Sequence, residues 1–264
     1  MHIQENTLDD ALNVVFRKAL RSALRTKSSK GTARELVATI VTIKDPRARF
    51  SRTERRGTLL QCLGAYGPRI FGGKKPNQYT RVVNHLRDRL NNGKDTRQAV
   101  VQVYRERDLG KKDVPCTCVL QFFSRRGKLH MMTTMRSNDA YRGLAYDVFA
   151  FTWIQEIVAR EISHDLGEYH HAVGSLHLYD DDEIGAKEYI AEGWAEHLAM
   201  PAMPLGDPWP SIRWLLGIEE AIRLGRPYTL DNSGVDPYWV DLARLLRIHS
   251  FIKDRQLREI VSEK

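Results

Sequence analysis

The chain has 264 residues, 41 Lys and Arg against 33 Asp and Glu for a net charge of +8, and is 42% hydrophobic. That hydrophobic share excludes a disordered or fibrous chain, and the length is enough to bury a sizeable core. The longest apolar runs, such as 148–154, are far shorter than the roughly 20 residues that cross a bilayer, and 1–30 alternates charges where a signal peptide has an apolar block. A soluble, cytoplasmic protein without a membrane partner is expected.

Thr7 followed by Leu8, Leu12, Val15, Phe16 and Leu20 predicts a capped amphipathic helix, with apolar positions at three- and four-residue steps. The β-branched run 36–43 predicts a strand. Further strands are predicted at 99–104, 117–123 and 128–135, the last two joined through Arg126-Gly127 as a hairpin. From Val148 onward helices dominate, at 148–162, 186–199, 211–224 and 237–248, with proline and glycine punctuating 200–210. The acidic run 180–183 reads as a solvated loop. No repeat and no long linker appears, so a single domain spanning 1–264 is expected.

Three cysteines, Cys62, Cys116 and Cys118, cannot complete a disulfide framework and lack the spacing of a four-ligand zinc site. No His/Glu spacing supports a metal either, His170-His171 included. The basic residues are scattered, so phosphate on a small molecule is as good a reading of the charge as nucleic acid.

Cys116 stands where a proline-led turn enters a strand, a place where a sulfur is held rigidly against a cleft. Nucleophilic use requires thiolate, and Arg97, Arg105, Arg107 or Arg136 would lower its pKa if the fold brings any of them near. On composition alone a small buried hydrophobe is the commoner role, and Cys118 and Cys62 are assigned to the core. Arg136-Ser137-Asn138-Asp139 offers a guanidinium and a hydroxyl that together suit a phosphate. His177 and Tyr179 alternate on one strand face, within reach of a sugar hydroxyl, although a structural pairing of the two fits as well.

Taken in order, Asp95-Thr96-Arg97, Pro115-Cys116 with Gln121-Phe122, Arg136-Ser137-Asn138-Asp139, Gly143-Leu144, and His177 with Tyr179 resemble the thymidylate synthase superfamily over most of the chain. The resemblance implies an α+β fold with a central, mostly antiparallel or mixed sheet, helices packed on one face and the sheet face at a homodimer interface. It implies a pyrimidine nucleoside monophosphate and 5,10-methylenetetrahydrofolate as ligands, with no nucleic-acid partner. Cys116 would add to C6 of the pyrimidine, with Asp147, Asp139 and Tyr66 also catalytic. Arg136 and Ser137 would clamp the phosphate, with Lys30 as a further cation (Arg34 the alternative) and Arg97 reaching across from the second subunit. Asn138, Gln121, Ala145, His177 and Tyr179 would complete the nucleotide site.

Departures from the pattern bear on the substrate. Asp147 stands where thymidylate synthases carry Asn; a carboxylate accepts from the amino group of cytosine, whereas it meets uracil O4 acceptor to acceptor. Together with Arg136-Ser137-Asn138-Asp139 and Gly174-Ser175-Leu176-His177, this is similar to the CMP and dCMP hydroxymethylase branch known from mildiomycin-type nucleoside biosynthesis. In that branch water captures the one-carbon unit at C5 and the folate is not oxidised. Ala145, where Pro is usual, leaves space for a 2′-hydroxyl and favours CMP over dCMP. The alternatives are methylation of dUMP, or a non-catalytic nucleotide- or RNA-binding relative. Gln98 replaces the second Arg of a paired motif, Thr117 replaces a His, and no family Glu follows Leu63-Gly64. The family's folate-closing tail has no counterpart in 258–264.

Overall fold

A computed structural model describes residues 1–28, 30–52, 67–74, 76–230 and 234–253. Cys62 and Tyr66, together with the Leu63-Gly64 junction and the 258–264 tail, lie outside the described residues. The chain divides into two compact units, 1–200 and 201–264.

In the first unit a seven-stranded mixed sheet is ordered β1-β3-β7-β6-β5-β4, with β2 also on β3. The strands are β1 His2–Glu5, β2 Arg25–Ser28, β3 Gly31–Ile43, β4 Val100–Gln102, β5 Thr117–Arg125, β6 Lys128–Asp139 and β7 Asp165–Tyr179. β1 runs parallel to β3 and β6 parallel to β7; the other pairs are antiparallel. β5 and β6 form the expected hairpin, with Arg126 and Gly127 both at positive φ (+50° and +73°), the backbone that matches strand twist in a two-residue turn.

Helix α1, Leu8–Arg21, begins where the Thr7 hydroxyl accepts from the Asp10 N–H at 3.0 Å, and buries Leu8, Leu12, Val15, Phe16 and Ala19. Helix α2, Gln78–Asn91, was not among the expected elements. Its signal is an Asn77 cap followed by Tyr79, Val82, Val83 and Leu86, an apolar stripe at helical spacing that buries against the unit. Helix α3, Leu144–Glu161, starts earlier than the apolar run alone indicates, which places Asp147 in its first turn. It is buried almost all round and packs on β6 and β7, while α1 packs on β3.

Several boundaries differ from the sequence reading. The strand expected at 36–43 extends back to Gly31, and that at 99–104 shrinks to three residues. The helix expected at 186–199 is α4, Glu183–Ala191, closed by Gly193 at φ +83°. The run 180–183 is not a solvated loop. It forms a short 3-10 turn leading into α4, with Asp182 buried against the Arg142 guanidinium (2.6 and 2.9 Å) and Glu183 bound by Arg34. Arg34 is therefore committed to an ion pair.

The second unit contains α5, Trp209–Arg223, and α6, Pro237–Lys253, which pack on each other. No helix among the described residues is long and apolar enough to cross a membrane.

Candidate active site

Alternation along β7 and β6 decides which side chains meet. In β7, Tyr169, His171 and Val173 face α3 and are buried, while Glu168 and His170 face the open side. Near its end β7 keeps its register with β3 and β6 but changes at Gly174 which positions it buries, from Tyr169, His171 and Val173 to Leu176 and Leu178; a Cβ on Gly174 would stand 2.9 Å from the Arg136 carbonyl oxygen, and only glycine lets the two backbones approach so closely. Because of that change of phase, His177 and Tyr179 emerge together on the half-buried side.

Cys116 is half-buried at the entrance to β5. Its carbonyl accepts the Arg136 N–H (2.9 Å), and the Arg136 guanidinium donates to the carbonyls of Pro115 (3.0 Å) and Val114 (2.8 Å). Arg136 thus ties down the loop that carries the nucleophile candidate. Burial pushes the thiol up; Arg136 pulls it down, Asp147 pushes up, Lys30 pulls down and Asp113 pushes up. Arg136 is the member of the four candidate arginines that acts here, and the thiol rests protonated. Cys118 is half-buried rather than core, its sulfur directed at the Cys116 carbonyl at 3.9 Å.

Asp147 is buried at the head of α3, where the exposed N–H groups of a helix start favour an anion. Asn138 Nδ2 donates to Asp147 Oδ2 at 2.6 Å. Behind this pair, Asn138 Oδ1 lies 3.3 Å from His171 Nε2, and His171 Nδ1 lies 2.8 Å from the Tyr169 hydroxyl. Full burial lowers the His171 pKa to about 3, so the ring is neutral. Tyr169 and His171 were missed as site residues; the signal available was their alternation within 165–179. Ala145 is buried two residues before Asp147.

Asp139 Oδ1 accepts the N–H groups of Tyr141 (2.9 Å) and Arg142 (2.8 Å), while burial raises its pKa and His177 lies near enough to oppose that. His177 Nδ1 faces the Ser175 carbonyl at 3.4 Å, which leaves Nε2 as an acceptor, and its ring meets Tyr179 edge-on at 4.9 Å. The Tyr179 hydroxyl is 3.3 Å from Ser28, at the turn carrying Lys30. Ser137 is half-buried beside Arg136.

Two expected residues stand apart. Gln121 projects from β5 and donates to the exposed Arg97 carbonyl (2.9 Å), so these two pair with each other rather than with the Cys116 cluster.

On the open side of the sheet, His130, Glu168 and His170 bring three possible ligand atoms within 4.8 Å of one another. His130 Nδ1 accepts the Glu168 N–H (3.1 Å), which puts the neutral ring's proton on Nε2 and leaves that nitrogen no lone pair for a cation. His170 Nδ1 is engaged with the Thr42 hydroxyl (2.9 Å).

Residues 13–209 match the family model described as Thymidylate synthase. The chain is similar to the thymidylate synthase of Bacillus subtilis subsp. natto, 30% identical over 112 residues that cover 42% of this chain and 39% of that one. Bacillus phage phi3T thymidylate synthase matches at the same identity and coverage. The Listeria monocytogenes enzyme is 28% identical over 114 residues, covering 43% of this chain and 35% of its own. The chain thus spans about two-fifths of the length of these curated relatives.

Proposed function

Because the chain belongs to the thymidylate synthase family, we propose that it transfers a one-carbon unit to C5 of a pyrimidine nucleoside monophosphate, and that the nucleotide is CMP, which leaves as its 5-hydroxymethyl derivative. The observation that carries this reading is the state of Asp147. Its carboxylate is buried at a helix start, fixed by the Asn138 amide, and close enough to Cys116 to act on the thiol. Ionised, it only accepts, which suits the amino group of cytosine and opposes the O4 of uracil.

Cys116 supplies the nucleophile. As its proton leaves, Arg136 and Lys30 favour the thiolate, and the sulfur adds to C6 while the electron pair moves toward C5. Asp147 holds the amino edge and stabilises a proton at N3 during the attack. The family's one-carbon donor is 5,10-methylenetetrahydrofolate, which supplies carbon at the formaldehyde level. Asp139 fits it: Oδ1 is taken by two N–H groups, and among the described residues Oδ2 receives none, so it suits the amino donors of a pterin. C5 would then take the one-carbon unit, loss of the C5 hydrogen would break the remaining bond to the folate nitrogen and release tetrahydrofolate, and water would add to the exocyclic methylene left on C5 as the sulfur departs from C6.

Arg136, Ser137 and Lys30 are proposed for the phosphate, and His177 Nε2 and the Tyr179 hydroxyl for the ribose. Arg97 is exposed beside the open sheet face, where a second subunit's phosphate would meet it. That face also carries exposed Val37 and Ile40, which supports a homodimer across it.

The relatives' names favour a second reading, methylation of dUMP. Release of tritium from C5-labelled CMP, dCMP and dUMP, with the folate present, separates the two. The proposal expects release from the cytosine nucleotides and fails if dUMP alone turns over.

A further inference from the structure

Resting on the base-reading role of Asp147, we propose that Tyr169, His171 and Asn138 are positioning residues, a buried relay that holds Asp147 as a hydrogen-bond acceptor and so sets the preference for cytosine over uracil. The four side chains form one continuous chain: Tyr169 hydroxyl to His171 Nδ1 (2.8 Å), His171 Nε2 to Asn138 Oδ1 (3.3 Å), Asn138 Nδ2 to Asp147 Oδ2 (2.6 Å). Tyr169 and His171 are fully buried, Asn138 is 4% exposed and Asp147 8%.

Such a chain has two possible polarities. In one, the tyrosine O–H donates to Nδ1, the imidazole Nε2–H donates to Asn138 Oδ1, and the amide N–H donates to an ionised carboxylate. In the other, the imidazole proton sits on Nδ1 and donates to the tyrosine oxygen. Nε2 then accepts, the Asn138 amide turns over, and its oxygen faces an Asp147 that must carry a proton. The tautomer of His171, one side chain beyond Asn138, is thereby coupled to what the base meets.

Two observations select the first polarity. Asp147 lies in the first turn of α3, where the helix favours the anion. The Asn138–Asp147 contact is short, as a bond to an ionised acceptor is. His171 is neutral, so it has one proton to place and the chain takes one polarity throughout. A misplaced amide in this pocket would leave two acceptors facing each other out of water, which the burial makes costly.

The first test uses the wild-type chain. Nitrogen NMR of labelled histidine is expected to show His171 protonated at Nε2 only and unchanged through the neutral range; protonation at Nδ1 overturns the proposal. The second is kinetic. Asn138→Ala is expected to lower the CMP-to-dUMP ratio of C5 hydrogen exchange by roughly tenfold or more, the loss of a bond to a charged group. It is also expected to move the acid limb of the pH profile upward, since a carboxylate that loses its donor gains affinity for protons. His171→Phe acts in the same direction, and His171→Gln, which keeps an N–H donor, restores part of the ratio. If Asn138→Ala does not fold, Tyr169→Phe, which removes one oxygen, carries the same expectation at a few-fold. An unchanged ratio and acid limb in these variants, while Asp147→Asn shifts the ratio, overturns the relay alone. An unchanged ratio in Asp147→Asn overturns the base-reading role and the relay with it.

Discussion

His170 and His171 are neighbours on one strand, yet they belong to two different environments. His171 faces α3, fully buried, neutral and bound at both nitrogens, in the chain that ends at Asp147. His170 faces the open side, half-buried, with Nδ1 on Thr42 and Glu168 nearby. Burial lowers the pKa of both, but for His170 the Glu168 carboxylate pulls the other way. Strand period alone separates the two roles. The covered side orders polar groups into directional contacts because no water competes there, while the open side leaves them within reach of solvent.

The largest effect is expected at the proposed nucleophile, Cys116. Cys116→Ser is expected to abolish C5 hydrogen exchange while nucleotide binding, followed by calorimetry, survives, because a hydroxyl is a far weaker nucleophile than a thiolate. Retained exchange would move the chemistry to another residue, with Cys118 the first to examine.

Next is the ion pair of Arg49 with Glu156, both fully buried. Arg49→Met leaves Glu156 facing the interior without that partner, and urea unfolding is expected to register a loss of about 3–5 kcal/mol. An exposed pair such as Arg244–Asp241 is expected to contribute less than about 1 kcal/mol by the same measurement.

Asp147→Asn is expected to shift the CMP-to-dUMP ratio toward dUMP by about 10- to 100-fold, because an amide both donates and accepts. Competition kinetics on mixed nucleotides reads this directly.

His171 also contributes a pH dependence with a definite sign. Its folded pKa, about 3, lies below the ordinary value of 6.5. Between these values the unfolded chain binds the extra proton, so its contribution to stability is present above 6.5 and is lost as pH falls toward 3. The slope approaches ~1.4 kcal/mol per pH unit for one proton. Unfolding titrations of His171→Phe are expected to show a shallower acid loss than wild type, and His170→Phe a smaller change.

A further effect is expected at Ala145. Enlarging it to Val is expected to cost CMP about 1–3 kcal/mol more than dCMP in kcat/KM if its side faces the 2′-hydroxyl. An equal loss for both nucleotides removes that assignment.

Local patterns already carry much of this molecule. The Thr7 cap and the apolar steps from Leu8 determine α1, the Arg126-Gly127 pair determines the β5–β6 turn, and both follow from interactions within a few residues. The ordered motifs around Cys116, Arg136 and His177 point to the family for a related reason, since each is a short pattern at a set place along its strand. What sequence alone leaves open is direction and environment. Whether Asp182 is solvated depends on Arg142, forty residues away, and the Gln121 amide is taken by a carbonyl from another segment. The thiol's resting state depends on burial that outweighs the pull of Arg136 and Lys30. The relay is the clearest instance: Asn138, Asp147 and His171 are all visible in the sequence, but their hydrogen-bond partners come from β6, α3 and β7. Only packing those elements together excludes water and forces each side chain to find its partner in the others.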